Sequence, residues 1–198
     1  MNTAPHNDSP ATQAVQSSRP DAMNDTARQA LRLAMRVLDL AEASVKPHTM
    51  CQAQAQVARC LMVMKDFDSA EAYLGKALGS TRLIPGVDAR VDLLCELAEV
   101  TASLAESKAE DTARYAALER SRDHAFEAAR LAGQTTDSHW EIKVLLRISD
   151  VLNRCGDHDD ATHMQERAIT LLGLRPIESS DSEPLAEGLR ALAPSQLM

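Results

Sequence analysis

Aromatic side chains are scarce in this sequence: one Trp, two Tyr and two Phe amount to 3% of its 198 residues. Sandwiches and barrels are built from alternating runs of aromatic and β-branched residues, and such runs are missing too, which argues against an all-β architecture. Glycine is sparse, at 7 residues. The longest unbroken apolar stretch, Cys60-Leu61-Met62-Val63-Met64, is far short of the roughly 20 residues a membrane span needs. The four cysteines (Cys51, Cys60, Cys95, Cys155) form neither a CxxC pair nor a dense framework, so a reducing compartment is expected. Basic residues are outnumbered, 21 against 29 acidic, and the net charge is −8. A chain of that sign repels a phosphate backbone, and no basic-aromatic strip offsets it, so no nucleic-acid partner is expected. The first 22 residues have neither the basic start nor the apolar stretch of a secretory signal. A cytoplasmic protein without a membrane partner is the expectation.

What the sequence does contain is Ala, Leu, Glu and Arg in helical spacing. Residues 1–23 are rich in Pro, Ser, Thr, Asn and Gln and read as a disordered N-terminal segment. A helical domain follows over 24–174. Its first helix is predicted from Asn24 or Asp25, both good N-caps, to Ser44, where Pro47 stops it. Helices are then expected over 48–64 and 69–80, separated by the acidic turn Lys65-Asp66-Phe67-Asp68. Beyond Pro85-Gly86 come helices over 88–105 and 109–132, the latter closed by Gly133. Asp137 and its neighbours cap a sixth helix ending near Cys155, and Gly156-Asp157 leads into a seventh that closes at Gly173. Residues 175–198 form a polar, flexible tail with one short amphipathic element carrying Leu185, Leu189 and Leu192. Docking of that element in the chain's own groove or a neighbour's is left open by the sequence. Seven main helices joined by short turns make an all-α array of antiparallel hairpins.

Two of these hairpins are copies of one another. Val57-Ala58-x-x-Leu61 aligns with Ile148-Ser149-x-x-Leu152, and Asp66-Phe67-Asp68-Ser69-Ala70 then falls on Asp157-His158-Asp159-Asp160-Ala161 without a gap. Ala77-Leu78 meets Ala168-Ile169 in the same register. Small residues at 58 or 149 and at 70 or 161 let paired helices approach closely, while Val57, Leu61, Ile148 and Leu152 fill the layer around them. The pattern resembles the tetratricopeptide repeat (TPR) family, with its small residue mid first helix, its turn, and its alanines early and late in the second helix. Residues 51–82 and 142–173 match well, the second copy even carrying Gly156-Asp157 at the turn. The family's early Trp and mid-helix Tyr are replaced by Gln54 and Leu61, or Leu145 and Leu152. A middle unit keeps Leu94, Leu97, Ala98 and Thr101 but loses the turn signature, so its repeat is expanded. The resemblance implies a right-handed solenoid whose first helices line a concave groove.

Carried onto the matched positions, that groove is expected to hold Gln52, Ala55, Arg59 and Met62 from the first hairpin. Asp92, Cys95, Glu99 and Ala102 come from the second, and Lys143, Leu146, Asp150 and Asn153 from the third. Such a mixed row suits a peptide or helix of a protein partner, with Arg59, Glu99, Asp150 and Lys143 setting selectivity. The Lys/Asn/Arg set of chaperone-type carboxylate clamps is not reproduced. The basic stripe Arg28, Arg32, Arg36 reads as an exposed face with local ion pairs to Asp25 and Asp39. Cys60, Cys95 and Trp140 read as core residues. His158 sits where the family places an aromatic, so packing is expected of it. The cluster from Asp157 to His163 lacks the three or four converging ligands of a stable metal site. No P-loop, G-x-G-x-x-G, HExxH or G-x-S-x-G occurs. A non-catalytic interaction scaffold with no cofactor follows. The alternatives are a secretion-type chaperone for a client, a sensor module binding a small ligand and, in another class, a metal protein or enzyme using the Asp157–His163 cluster.

Overall fold

The computed structural model describes residues 19–173. The assignments made for residues 1–18 and 174–198 lie outside the described residues. Among the described residues seven α-helices run in order: α1 (Arg19–Ser44), α2 (Pro47–Val63), α3 (Phe67–Ser80), α4 (Asp88–Ser107), α5 (Asp111–Ala132), α6 (Ser138–Cys155) and α7 (His158–Leu171). A short 3-10 turn, Thr81–Leu83, follows α3. No strand occurs among the described residues, and the chain is all-α.

Each helix packs chiefly on its neighbours in sequence, and α4 also meets α6 directly. Polar bonds show how the layers form. Arg59 on α2 reaches Glu96 on α4, and Glu99 on α4 reaches Arg147 on α6, so α2, α4 and α6 lie side by side. Arg120 on α5 reaches Glu71 on α3, placing the second helices together in the other layer. One core cluster gathers α4 to α7 and a second gathers α1 to α4. Helix α4 feeds both: Leu93, Leu97 and Val100 point into one, Val91, Leu94 and Ala98 into the other. A helix enclosed on two sides must be apolar over most of its circumference, which explains its run of buried residues from Leu93 to Ala98.

The small residues that define the repeat are its tightest points. Ala58, Ala70 and Ala77 in the first copy, and Ser149, Ala161 and Ala168 in the third hairpin, expose at most 1% of their surface. The middle hairpin adds buried hydroxyls to its buried alanines. Ser121 donates to the Ala98 carbonyl at 2.7 Å, and Thr101 donates to the Leu97 carbonyl one turn back at 2.7 Å.

Two expectations change, and a third, the cap at Gly133, holds with a different backbone. Helix α1 begins at Arg19 rather than Asn24, because Pro20 is tolerated in a first turn, where its missing N–H has no partner to lose. Gly133 caps α5 with right-handed backbone, so it is not there for a left-handed turn. Instead, a Cβ at 133 would collide with the guanidinium of Arg167, which crosses that position to bind Glu141. His158 is exposed and meets the Asn153 Oδ1 at 3.1 Å, so it does not pack as an aromatic would.

Candidate functional site

The face made by α2, α4 and α6 carries the residues singled out for the groove, in three different states. Gln52, Arg59, Asp92, Lys143, Leu146, Asp150 and Asn153 are exposed, while Met62 and Glu99 are partly so. Ala55, Cys95 and Ala102 are buried and serve as wall rather than contact. The charges on this face do not all remain available. Arg59 grips Glu96 with Nη2 at 2.6 Å and Nε at 3.1 Å, and Glu99 accepts from Arg147 Nε at 2.5 Å. Further along, Arg154 reaches the Ser103 hydroxyl at 2.9 Å and Glu106 at 3.0 Å. These pairs run between adjacent first helices and tie the face together. Glu96, Arg147, Ser103 and Arg154 were missed by the sequence reading, because the heights of neighbouring helices decide which charges meet.

Gln52, Asp92, Lys143 and Asp150 engage no side-chain hydrogen bond or ion pair among the described residues and are the polar groups free to meet a ligand. Between α2 and α4 the face opens into a cavity of about 200 Å³. Its floor is Cys51, Ala55, Ala89 and Leu93, and Ile84 closes one side. Its polar rim is His48, Gln52, Arg59 and Asp92. Burial pushes the Asp92 carboxyl up, Asp88 adds to that, and Arg147 and Arg59 pull it back. The cavity is apolar within and polar at its mouth, which suits one side chain carrying a polar end.

The cysteine thiols and the acidic turn have surroundings of their own. Burial pushes the Cys95 thiol up to about 12, against the pull of Arg147. Cys51 and Cys155 are raised by burial as well. A protonated thiol is a poor nucleophile. Among the described residues no three His, Cys, Asp or Glu side chains converge as ligands. In the acidic turn, Asp157 is held by Arg122 at 2.9 and 2.5 Å, and His163 leans toward Glu166 at 3.9 Å. Trp140 is half-buried against the core of α4 to α7.

Comparison with known proteins adds to the fold. No family model matches the chain, and no curated protein matches it. Among solved structures it is similar to "BtubC (BKLC) from P. vanneervenii", with a TM-score of 0.56 at 15% identity. That match covers 91% of this chain and 63% of BtubC, so the chain spans under two thirds of BtubC's length. A structure titled "DHF58 filament" matches with a TM-score of 0.48 at 21% identity, over 82% of this chain and 87% of the other. The BtubC likeness bears on the all-α architecture alone. Among the described residues no helix is long and apolar enough to cross a membrane.

Proposed function

We propose that this protein is a non-catalytic interaction scaffold, in which a peptide or helix of a partner protein lies along the face of α2, α4 and α6. The hairpins stack as a right-handed, TPR-like solenoid and that face is its concave side. The observation that supports the reading is the cavity between α2 and α4, on a face that also exposes Lys143 and Asp150. An anchor side chain enters over Ala55 and Leu93, and Gln52 and Asp92 meet its polar end. The partner then runs past Met62 toward Lys143, Leu146, Asp150 and Asn153 on the same face. The crosswise pairs Arg59–Glu96 and Glu99–Arg147 hold the helices in place before the partner arrives, so less ordering accompanies binding. Selectivity rests on Asp92, Lys143 and Asp150 rather than on Arg59 and Glu99, whose charges are spent within the fold.

A small-ligand sensor is the weaker reading. Drug-sized ligands occupy pockets of about 300–1,000 Å³, whereas this cavity holds about 200 Å³. A client-binding chaperone is a special case of the peptide reading and uses the same face.

The test is retention of a partner by immobilised protein. Leu146→Asp is the probe, because Leu146 is exposed and its loss leaves the core intact. Tyr115→Asp, on the exposed side of α5, is the control. A partner held by the wild type and the control and lost by Leu146→Asp supports the reading. Equal retention by all three contradicts it.

A further inference from the structure

The two ends of the helix stack differ in chemistry. On the outer helix α7, Thr162, His163, Glu166 and Thr170 are exposed and polar, as the terminal unit of a repeat array requires. Helix α1, at the opposite end, is different. It buries Ala34, Leu38 and Ala41 against the core, yet Leu33, Val37 and Leu40 are exposed, Leu40 by 71%. Their i, i+4, i+7 spacing sets them in one stripe beside the buried face. Arg28, Arg32 and Arg36 run along the far side of that stripe, all exposed. Among the described residues the one ion pair on α1 is Arg28 with Asp25, at 3.7 Å. An apolar row edged by Arg32 and Arg36, neither of them in an ion pair among the described residues, fits an amphipathic segment with acidic residues beside it.

We propose that this face of α1 holds the chain's own segment 184–193. Leu185, Leu189 and Leu192 repeat the i, i+4, i+7 spacing of Leu33, Val37 and Leu40. The segment itself is neutral, with Glu187 against Arg190, and the acidic excess sits in the connection before it, Glu178, Asp181 and Glu183 against Arg175, opposite in sign to the arginine row of α1. A second α1 is the poorer occupant, since it sets one arginine row against another. The connection is also long enough. Helices α1 and α3 touch through Met35 and Tyr73 at 3.8 Å, and α3 and α5 through Glu71 and Arg120 at 2.8 Å. With α7 in the same layer, three packing steps of up to about 10 Å each separate it from α1. Roughly a dozen residues lie between Gly173 and Leu185, and extended they reach about 40 Å. Antiparallel neighbours make α1 and α7 run in the same direction. The end of α7 therefore points the same way as the C-terminal half of α1, where the stripe is.

The experiment uses the full chain and compares wild type with a Leu185→Glu, Leu189→Glu, Leu192→Glu variant. Amide hydrogen exchange is followed over residues 33–44, with α7 as internal control and sedimentation on the same samples. The variant is expected to exchange over 33–44 at least about tenfold faster, with α7 unchanged and the protein monomeric throughout. Arg32→Glu, Arg36→Glu is expected to shift exchange in the same direction. Unchanged exchange in the leucine variant overturns the proposal. Wild-type protection that grows with protein concentration, alongside a heavier sedimenting species, also overturns it and assigns the face to a second copy. The partner face of α2, α4 and α6 plays no part in this test, so the two readings fail separately.

Discussion

The hairpins over residues 47–80 and 138–171 close by the same backbone route with different side chains. In the first, the Asp66 N–H reaches the Leu61 carbonyl at 3.0 Å; in the other, the aligned Asp157 N–H reaches the aligned Leu152 carbonyl at 2.9 Å. Both are the six-to-one bond of a helix stop, which needs a left-handed residue just before it. Gly156 supplies this at φ 87° without strain, whereas the first hairpin forces Lys65 to φ 61°. The acidic residue then takes different work. Asp66 caps α3 by accepting from the Ser69 N–H at 3.2 Å, while Asp157 makes no such cap and binds Arg122 on α5. The turn geometry is thus the invariant of the unit. What the acid does depends on whether a neighbouring hairpin brings an arginine within reach.

The comparison breaks most clearly at its alanines. Ala70→Leu and Ala161→Leu each force a larger side chain into a site with no free surface, and each is expected to cost about 2–3 kcal/mol in urea unfolding. A large cost in one copy and a small cost in the other contradicts their equivalence. Exchanging the left-handed residues sharpens it: Lys65→Gly is expected to stabilise by about 1 kcal/mol and Gly156→Lys to destabilise by about as much. A double-mutant cycle separates the acids. Asp157 with Arg122 is expected to show a coupling of about 0.5–1 kcal/mol, and Asp66 with Arg122 none; Asp66→Ala alone costs about 1 kcal/mol through its lost cap.

The smallest effect belongs to the middle unit. Burial holds the imidazole of His124 on α5 below its usual 6.5, with Glu71 and Asp123 pulling it back up. The unfolded chain therefore takes up that proton first. Stability is complete above 6.5 and declines as the pH falls from there through the folded value. Urea midpoints measured down that range fall for the wild type, and His124→Gln removes this component.

The hairpins, their turns and the small residues between them were legible because each depends on local spacing, as at Ala58 with Ala70 and Ser149 with Ala161. The candidate site was legible only as a face. Helical periodicity says that Arg59 and Glu99 point outward from α2 and α4. It does not say that Glu96 and Arg147 stand at the same height on the adjoining helices, where they pair both charges within the fold. His158 misled for a related reason: an aromatic at that position packs because it is apolar, as the half-buried Phe67 does in the first hairpin. An imidazole there turns outward to Asn153.

The central claim is that a protein partner lies along α2, α4 and α6. Its most direct test is site-specific photo-crosslinking in the native extract, with the reactive group at Leu146 on that face and, separately, at Tyr115 on α5. The account predicts a discrete protein adduct from position 146 that is absent at 115 and lost with Asp92→Lys and Asp150→Lys. No adduct at 146, or the same adduct from both positions, contradicts it.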